Sequence, residues 1–192
     1  MKPVLPVLLC AVLSCGTMPA FSAETTMASA PTAKTVAYSK QNQITDRQII
    51  ADIMVIDRNE MHAAALVLKR NVDPAVKNYA MFLKTHHTKN FHQIQKLSKS
   101  LQLKPLGSQL SKSMAKQGKK DAMGFKKLSD QNLDNTYIQA MIKGHTDVLH
   151  LVDNDFLKKV TNPELKQFLV AFRGAVNVHL EKAKAVESKL SH

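Results

Sequence analysis

Apolar residues recur at steps of three and four in four long segments of the chain, over residues 49–67, 76–101, 138–152 and 165–190. In an α-helix such steps place residues on one face, and that face turns toward a core. No segment shows the alternation of polar and apolar residues that is typical of a strand. The pattern therefore predicts an all-α protein built from four long amphipathic helices.

Each predicted helix carries one titratable residue within its apolar face. These residues are Glu60, His87, His145 and His179. At a rise of about 1.5 Å per residue, all four lie roughly 18 to 25 Å from the turn that joins the two helices of their pair. Antiparallel packing would bring them near one level, close to the middle of a bundle. The sequence thus predicts a polar centre inside an apolar core.

Turn signals give predicted helices over about 46–70, 74–102, 130–157 and 163–189. Thr45 is a candidate N-cap of the first helix, and Pro74 suits the first position of the second. We predict that residues 109–129 form a shorter, looser helix that crosses an end of the bundle, because this stretch contains Gly118 and Gly124. Two short turns and one long helical connection describe a four-helix bundle with a crossover.

Three imidazoles and one carboxylate at one level can coordinate a single divalent transition metal. Imidazole nitrogen suits zinc, iron, copper and nickel, and a carboxylate completes a four-ligand set. The candidate ligands are Glu60, His87, His145 and His179. The alternative is a metal-free core in which Glu60 accepts hydrogen bonds from the histidines, and this polar layer fixes the register of the helices. The sequence alone leaves both interpretations open.

Other titratable residues are weaker candidates. His86 adjoins His87, so it should face about 100° away, at a helix interface or in solvent. Asp57 and Asp134 could support the ligands or could be ordinary surface charges, and for Asp57 we expect the surface. The remaining histidines off the apolar faces are His62, His92 and His150.

The first 23 residues have the features of a secretory signal peptide, with a basic start, an apolar run and small residues before a cleavage site. We expect cleavage after Ser22 or Ala23. Residues 24–44 then form a flexible leader rich in Thr, Ser, Ala and Lys. The helical domain follows over residues 45–190, in an exported, periplasmic protein.

Both cysteines, Cys10 and Cys15, lie within the predicted signal peptide. A chain cleaved after residue 22 or 23 keeps neither, which excludes a disulfide, a thiolate nucleophile and a cysteine metal ligand. The alternative is lipidation of Cys15 at an imperfect lipobox. That modification would give an outer-membrane-associated lipoprotein instead of a free periplasmic protein.

The chain is strongly basic, with 27 Lys and Arg against 15 Asp and Glu, and loss of Lys2 would leave a formal charge of +11. Export and the lack of a recognition motif argue against a nucleic-acid partner. An anionic envelope surface, such as phospholipid head groups, or an unidentified protein fits the charge better. The simpler interpretation is a solvated basic exterior. We expect no transmembrane span in the mature chain, and the oligomeric state is not indicated.

Four stretches carry a resemblance to a known family: IDRNEMHAA, YAMFLKTHHTKNF, LDNTYIQAMIKGH and LKQFLVAFRGAVNVHLEKA. They are similar to the exported bacterial proteins grouped as domain of unknown function 4142, over about residues 45–190. The resemblance implies a ferritin-like four-helix bundle. It matches the family's characteristic positions to Glu60, His87, His145 and His179.

The resemblance does not imply ferritin chemistry. Di-iron bundles use Glu-x-x-His pairs, whereas Lys84 and Val176 stand three residues before His87 and His179. One metal ion is therefore the better prediction. The chain also departs from the family at His86, where an aspartate is usual, and at Arg173–Gly174, where a proline is common.

Three functions follow from these features. The first is a metal-binding envelope protein that stores or buffers an ion. The second is a metal-free interaction module with a His–Glu core and a basic surface. The third, an enzyme, is the least favoured, because the sequence shows no nucleophile–base pair and no glycine-rich phosphate loop.

Overall fold

The computed structural model describes residues 44–190, and all regular structure in that range is helical. Five α-helices account for most of it. They are α1 (Asp46–Val67), α2 (Pro74–Ser100), α3 (Gln109–Lys127), α4 (Asp130–Leu151) and α5 (Pro163–Leu190). The all-α class predicted from the sequence is confirmed.

The predicted export features lie outside the described residues. They comprise the signal peptide over residues 1–23, with its cleavage site and Cys15, and the leader except for its last residue, Ile44. Within the described range, none of the helices combines the length and the apolar character that crossing a membrane requires.

Each helix begins where the sequence supplies a side-chain oxygen for the free amide groups of its first turn. The caps of α1 to α4 are Thr45, Asp73, Ser108 and Ser129. Before α5, the side chain of Asn162 accepts a hydrogen bond from the amide of Leu165 at 3.0 Å. Caps of this kind stabilise a helix by about 1 kcal/mol each, so short polar residues fix the helix bounds.

The helices pack in pairs. α1 packs against α2 and α4 packs against α5, while contacts between α2 and α5 join the two pairs. Two clusters of buried apolar side chains fill the interior. At one end they include Val76, Tyr137 and Ala183, and at the other Ile49, Ile94 and Leu165. Full burial of a large apolar side chain contributes roughly 1.5–3 kcal/mol, so these two clusters supply most of the driving force for folding.

Beyond Leu151, α4 continues as a π-helical segment, Val152–Phe156, and a short turn, Leu157–Lys159. The side chains of Val152 and Phe156 are fully buried. From α5, Arg173 donates two hydrogen bonds to the carboxylate of Asp153, at 2.6 and 2.9 Å. This π-helical segment, with its wider turn, therefore buries two apolar side chains and carries the aspartate that links α4 to α5.

The connecting helix α3 differs from the expected loose crossing at one end of the bundle. It packs along α1, and the contacts advance in the same direction on both helices. Ser108 donates a hydrogen bond to the buried Asp52 at 2.6 Å, and further along Asn59 donates to the main-chain carbonyl of Met114 at 2.9 Å. Gly118 belongs to this contact, because a Cβ there would lie 2.4 Å from the Asn59 side chain. The glycine that suggested looseness in the sequence is therefore a point of close packing.

This contact predicts opposite effects for two substitutions in the same helix. Gly118→Ala should lower the free energy of unfolding by about 1–2 kcal/mol, because the methyl group displaces Asn59 from its hydrogen bond. Gly124→Ala meets no atom within 4 Å and should raise it by up to about 1 kcal/mol through helix propensity. Urea unfolding of both variants measures the difference, and equal effects would contradict the packing of α3 on α1.

Candidate metal centre

Three of the four predicted site residues converge in the interior. His87 from α2, His145 from α4 and His179 from α5 are each only 2–3% exposed. Their ring centroids lie 4.9 Å apart for His87 and His179, 5.3 Å for His145 and His179, and 6.0 Å for His87 and His145. One nitrogen from each ring falls within 4.8 Å of the others, a spacing from which a single ion can be reached.

The ring of His87 is oriented by a buried carboxylate. Its Nδ1 lies 2.9 Å from Oδ1 of Asp57, and the other oxygen of Asp57 accepts a hydrogen bond from Asn90 at 2.7 Å. Burial raises the pKa of Asp57, and the hydrogen bond with His87 opposes that change. A carboxylate in this position favours a proton on Nδ1 and leaves Nε2 with its lone pair.

His145 and His179 are oriented by neutral partners. Nδ1 of His145 lies 2.7 Å from the main-chain carbonyl oxygen of Met141, one turn earlier in α4. Because a carbonyl only accepts, Nδ1 carries the proton there. Nε2 of His179 lies 3.2 Å from Nδ1 of His86, and the main-chain carbonyl of His179 accepts a hydrogen bond from Tyr79 at 3.1 Å.

The second nitrogen of each ring has no partner. Nε2 of His87, Nε2 of His145 and Nδ1 of His179 are buried and form no hydrogen bond within the described residues. Leaving a buried polar atom unpaired costs roughly 1–3 kcal/mol, and native structures contain few such atoms. The three histidines that carry these atoms form a group that could hold a metal ion.

Glu60 occupies a separate position beside the three histidines. It is half-buried, and neither of its oxygens joins the set of nitrogens that lie within 4.8 Å of one another. Its Oε1 lies near α4, where a Cβ on Gly144 would be 4.0 Å away, and its Oε2 is buried without a hydrogen-bond partner. Burial raises the pKa of both Tyr79 and Tyr137, and the charge of Glu60 raises it further.

Burial favours the neutral form of His145 and His179. It lowers the pKa of His145, although the charge of Glu60 partly opposes this effect. Burial also lowers the pKa of His179 to about 2, and the neighbouring histidines act in the same direction. Neutral imidazole is the form that coordinates a metal, so these two rings need lose no proton to bind one near neutral pH.

The position of one supporting residue, Asp57, was predicted wrongly from the sequence. Asp57, expected at the surface, is fully buried against His87. A signal for its burial was present, because Asp57 follows the buried Ile53 by four residues and so shares its face. His86 was expected at an interface or in solvent, and it is exposed while contacting His179 on α5. Asp134 accepts a hydrogen bond from the amide of Asp73 at 3.0 Å, so it supports a turn.

These observations define an all-helical domain with a buried cluster of three histidines. The chain belongs to the family described as domain of unknown function (DUF4142), whose family model matches residues 29–186. A solved structure with a similar fold is the crystal structure of a DUF305 fragment from Deinococcus radiodurans, with a TM-score of 0.64 and 14% sequence identity. The alignment covers 77% of this chain and 99% of that one, and it shows a likeness of fold alone. No curated protein matches the chain significantly.

The lowered pKa values predict that the metal-free protein loses stability in acid. The unfolded chain binds a proton at each histidine near pH 6.5, whereas the buried rings of His145 and His179 do not. Between about pH 2 and 6.5 the unfolded state therefore holds more protons, and stability falls as the pH falls through this range.

Two variants test how much the ring of His179 contributes to this pH dependence of stability. His179→Gln should reduce the pH dependence of the unfolding free energy between pH 6 and 4.5 by up to about 1.4 kcal/mol per pH unit. His62→Gln, at an exposed position, should leave it unchanged. Urea unfolding at several pH values measures both slopes. Parallel slopes for wild type and His179→Gln would contradict a buried neutral imidazole.

Proposed function

We propose that the protein binds one divalent transition metal ion through His87, His145 and His179. The three unpaired, buried nitrogens on converging rings carry this proposal. The donor set fits such an ion, since imidazole suits zinc, iron, copper and nickel. Asp57 behind His87 is the arrangement that orients a histidine ligand and raises its basicity. An ion would give each unpaired nitrogen a partner.

The charges near the cluster support a divalent ion. Asp57 and Glu60 place two carboxyl groups beside the three rings. Once ionised, these carboxylates would balance two positive charges in a region where an unbalanced charge is costly. In this proposal Glu60 supplies charge from beside the histidines, because its oxygens lie outside the set of nitrogens that surround the ion.

We further propose that the helices form a ferritin-like four-helix bundle in which α3 is the crossover. The protein would be exported to the periplasm, where a mononuclear centre suits storage or buffering of a metal ion. The residues three before His87 and His179 are Lys84 and Val176, which do not support a carboxylate-bridged pair of irons.

A second candidate function rests on the exposed face of α3. This helix carries six lysines and one acidic residue, and all six lysines are exposed. They are Lys112, Lys116, Lys119, Lys120, Lys126 and Lys127. Met123, 57% exposed, lies among them. A basic helix face with an exposed apolar side chain suits binding to anionic phospholipid head groups.

Metal stoichiometry tests the first proposal. The full chain, purified without a tag from the exported fraction and titrated with Zn²⁺ after removal of bound metal, should bind about one ion. His87→Ala/His179→Ala should abolish binding because it removes two of the three ligands. Asp57→Asn should keep the stoichiometry and weaken affinity about 10- to 100-fold, as expected for loss of a residue that orients a ligand.

The matched control is His62→Ala/His92→Ala, which removes two exposed histidines and should bind zinc as the wild type does. If the wild type binds no ion, the cluster is a metal-free polar core and the proposal is wrong. The proposal is equally wrong if the two double variants lose zinc to the same extent, because binding would then follow surface histidines.

Charge reversal tests the second candidate. Lys119→Glu/Lys120→Glu should reduce cosedimentation with phosphatidylglycerol vesicles at least several-fold, because each basic residue near such a surface contributes about 1 kcal/mol. Lys96→Glu/Lys99→Glu makes the same charge change at exposed positions of α2 and should have a much smaller effect. Equal loss in both variants would show that net charge, and no particular face, determines binding.

A further inference from the structure

A cleft between α2 and α5 leads from the surface to the histidine cluster. Its volume is about 400 Å³, and the side chains of His87 and His179 form part of its wall. The other lining residues on which the inference depends are His86, Lys89, Phe168, Phe172, Ala171 and Ala175. Two of the three proposed ligands are therefore next to space that a small molecule can occupy.

The number of protein ligands indicates that an external ligand could reach the metal ion through this cleft. Structural zinc sites have four protein ligands, whereas sites with three keep a fourth position for water or another ligand. Three histidines each contribute one nitrogen to the group of ligand atoms that lie close together, and no oxygen of Glu60 belongs to that group. An ion held by this set has an open position, and the cleft reaches two of its ligands, His87 and His179, from the α2–α5 side.

The walls of the cleft favour a small anion. Phe168 and Phe172 stack with their rings 11° from parallel, and Phe172 is 3% exposed. Among the described residues, no carboxylate lines the cleft. Lys89 lines the cleft at an exposed position, which places positive charge at the mouth. Positive charge above low-dielectric walls concentrates anions.

We infer that the cleft between α2 and α5 admits a small anionic ligand that binds directly to the metal ion proposed at His87, His145 and His179. The inference rests on the proposed function and adds a property to it: the centre exchanges an external ligand and does not enclose its ion completely. A closed structural site would have no such ligand.

The test uses Co²⁺, which reports its coordination through its visible absorption, and azide as the small anion. The full-length protein loaded with Co²⁺ should show a saturable spectral change as azide is added. Ala175→Phe, which places a large side chain in the cleft, should bind Co²⁺ with unchanged stoichiometry and require at least ten-fold more azide. Val178→Phe makes a comparable change on α5 at a 47% exposed position outside the cleft and should respond as the wild type does.

The outcomes separate the two proposals. If Co²⁺ does not bind to the wild type, the proposed metal function fails. If Co²⁺ binds but azide leaves the spectrum unchanged, the metal site stands and the inference about the cleft is wrong. If azide binds equally well to wild type and Ala175→Phe, the ligand does not use the cleft. Should Ala175→Phe lose helical structure, Ala171→Phe, at an exposed position of the same wall, decides the last comparison.

Discussion

The organisation of the interior depends on how three imidazole rings are accommodated between two apolar clusters. Each ring has one nitrogen with a partner and one without. The apolar clusters at either end of the helices provide the free energy that makes such a costly layer tolerable. A core filled with leucine at these positions would avoid the cost altogether. That the chain carries histidine there is why a ligand, rather than packing, is the better explanation of the layer.

The three rings are not equivalent, because their partners differ in charge and exposure. Asp57 is a buried carboxyl group, the carbonyl of Met141 belongs to the histidine's own helix, and His86 is an exposed ring. His87 is therefore fixed by a link between α1 and α2, and His145 within α4 alone. His179 depends on a residue at the protein surface, on the side where the cleft opens. One side of the cluster is therefore held by contacts between buried groups, and the other side borders the cleft.

Helical periodicity was sufficient to predict the helices and the inward position of the three histidines. The reason is that the buried face of a helix places apolar residues at steps of three and four along the chain. It was not sufficient for contacts that depend on which helices are neighbours. The rotation of about 100° per residue correctly placed His86 and His87 on different faces of the helix, but it could not show that α5 lies close to His86. Asp57 was misjudged because acidic residues are rarely buried without a partner, and its partner lies 30 residues away. Gly118 suggested a loose helix, yet a close contact with Asn59 requires a residue without a side chain.

The separation of the cluster residues along the chain has a consequence for the order of events during biogenesis. Asp57 and His87 are 30 residues apart, and His86 and His179 are 93 apart. Closing such long loops is entropically costly. The first contact forms only when α1 and α2 have docked, and the second only when α5 has docked on α2. A nascent chain therefore has no assembled cluster to offer. An ion proposed at this cluster would bind as these helices come together or after they have docked, because metal binding is coupled to folding.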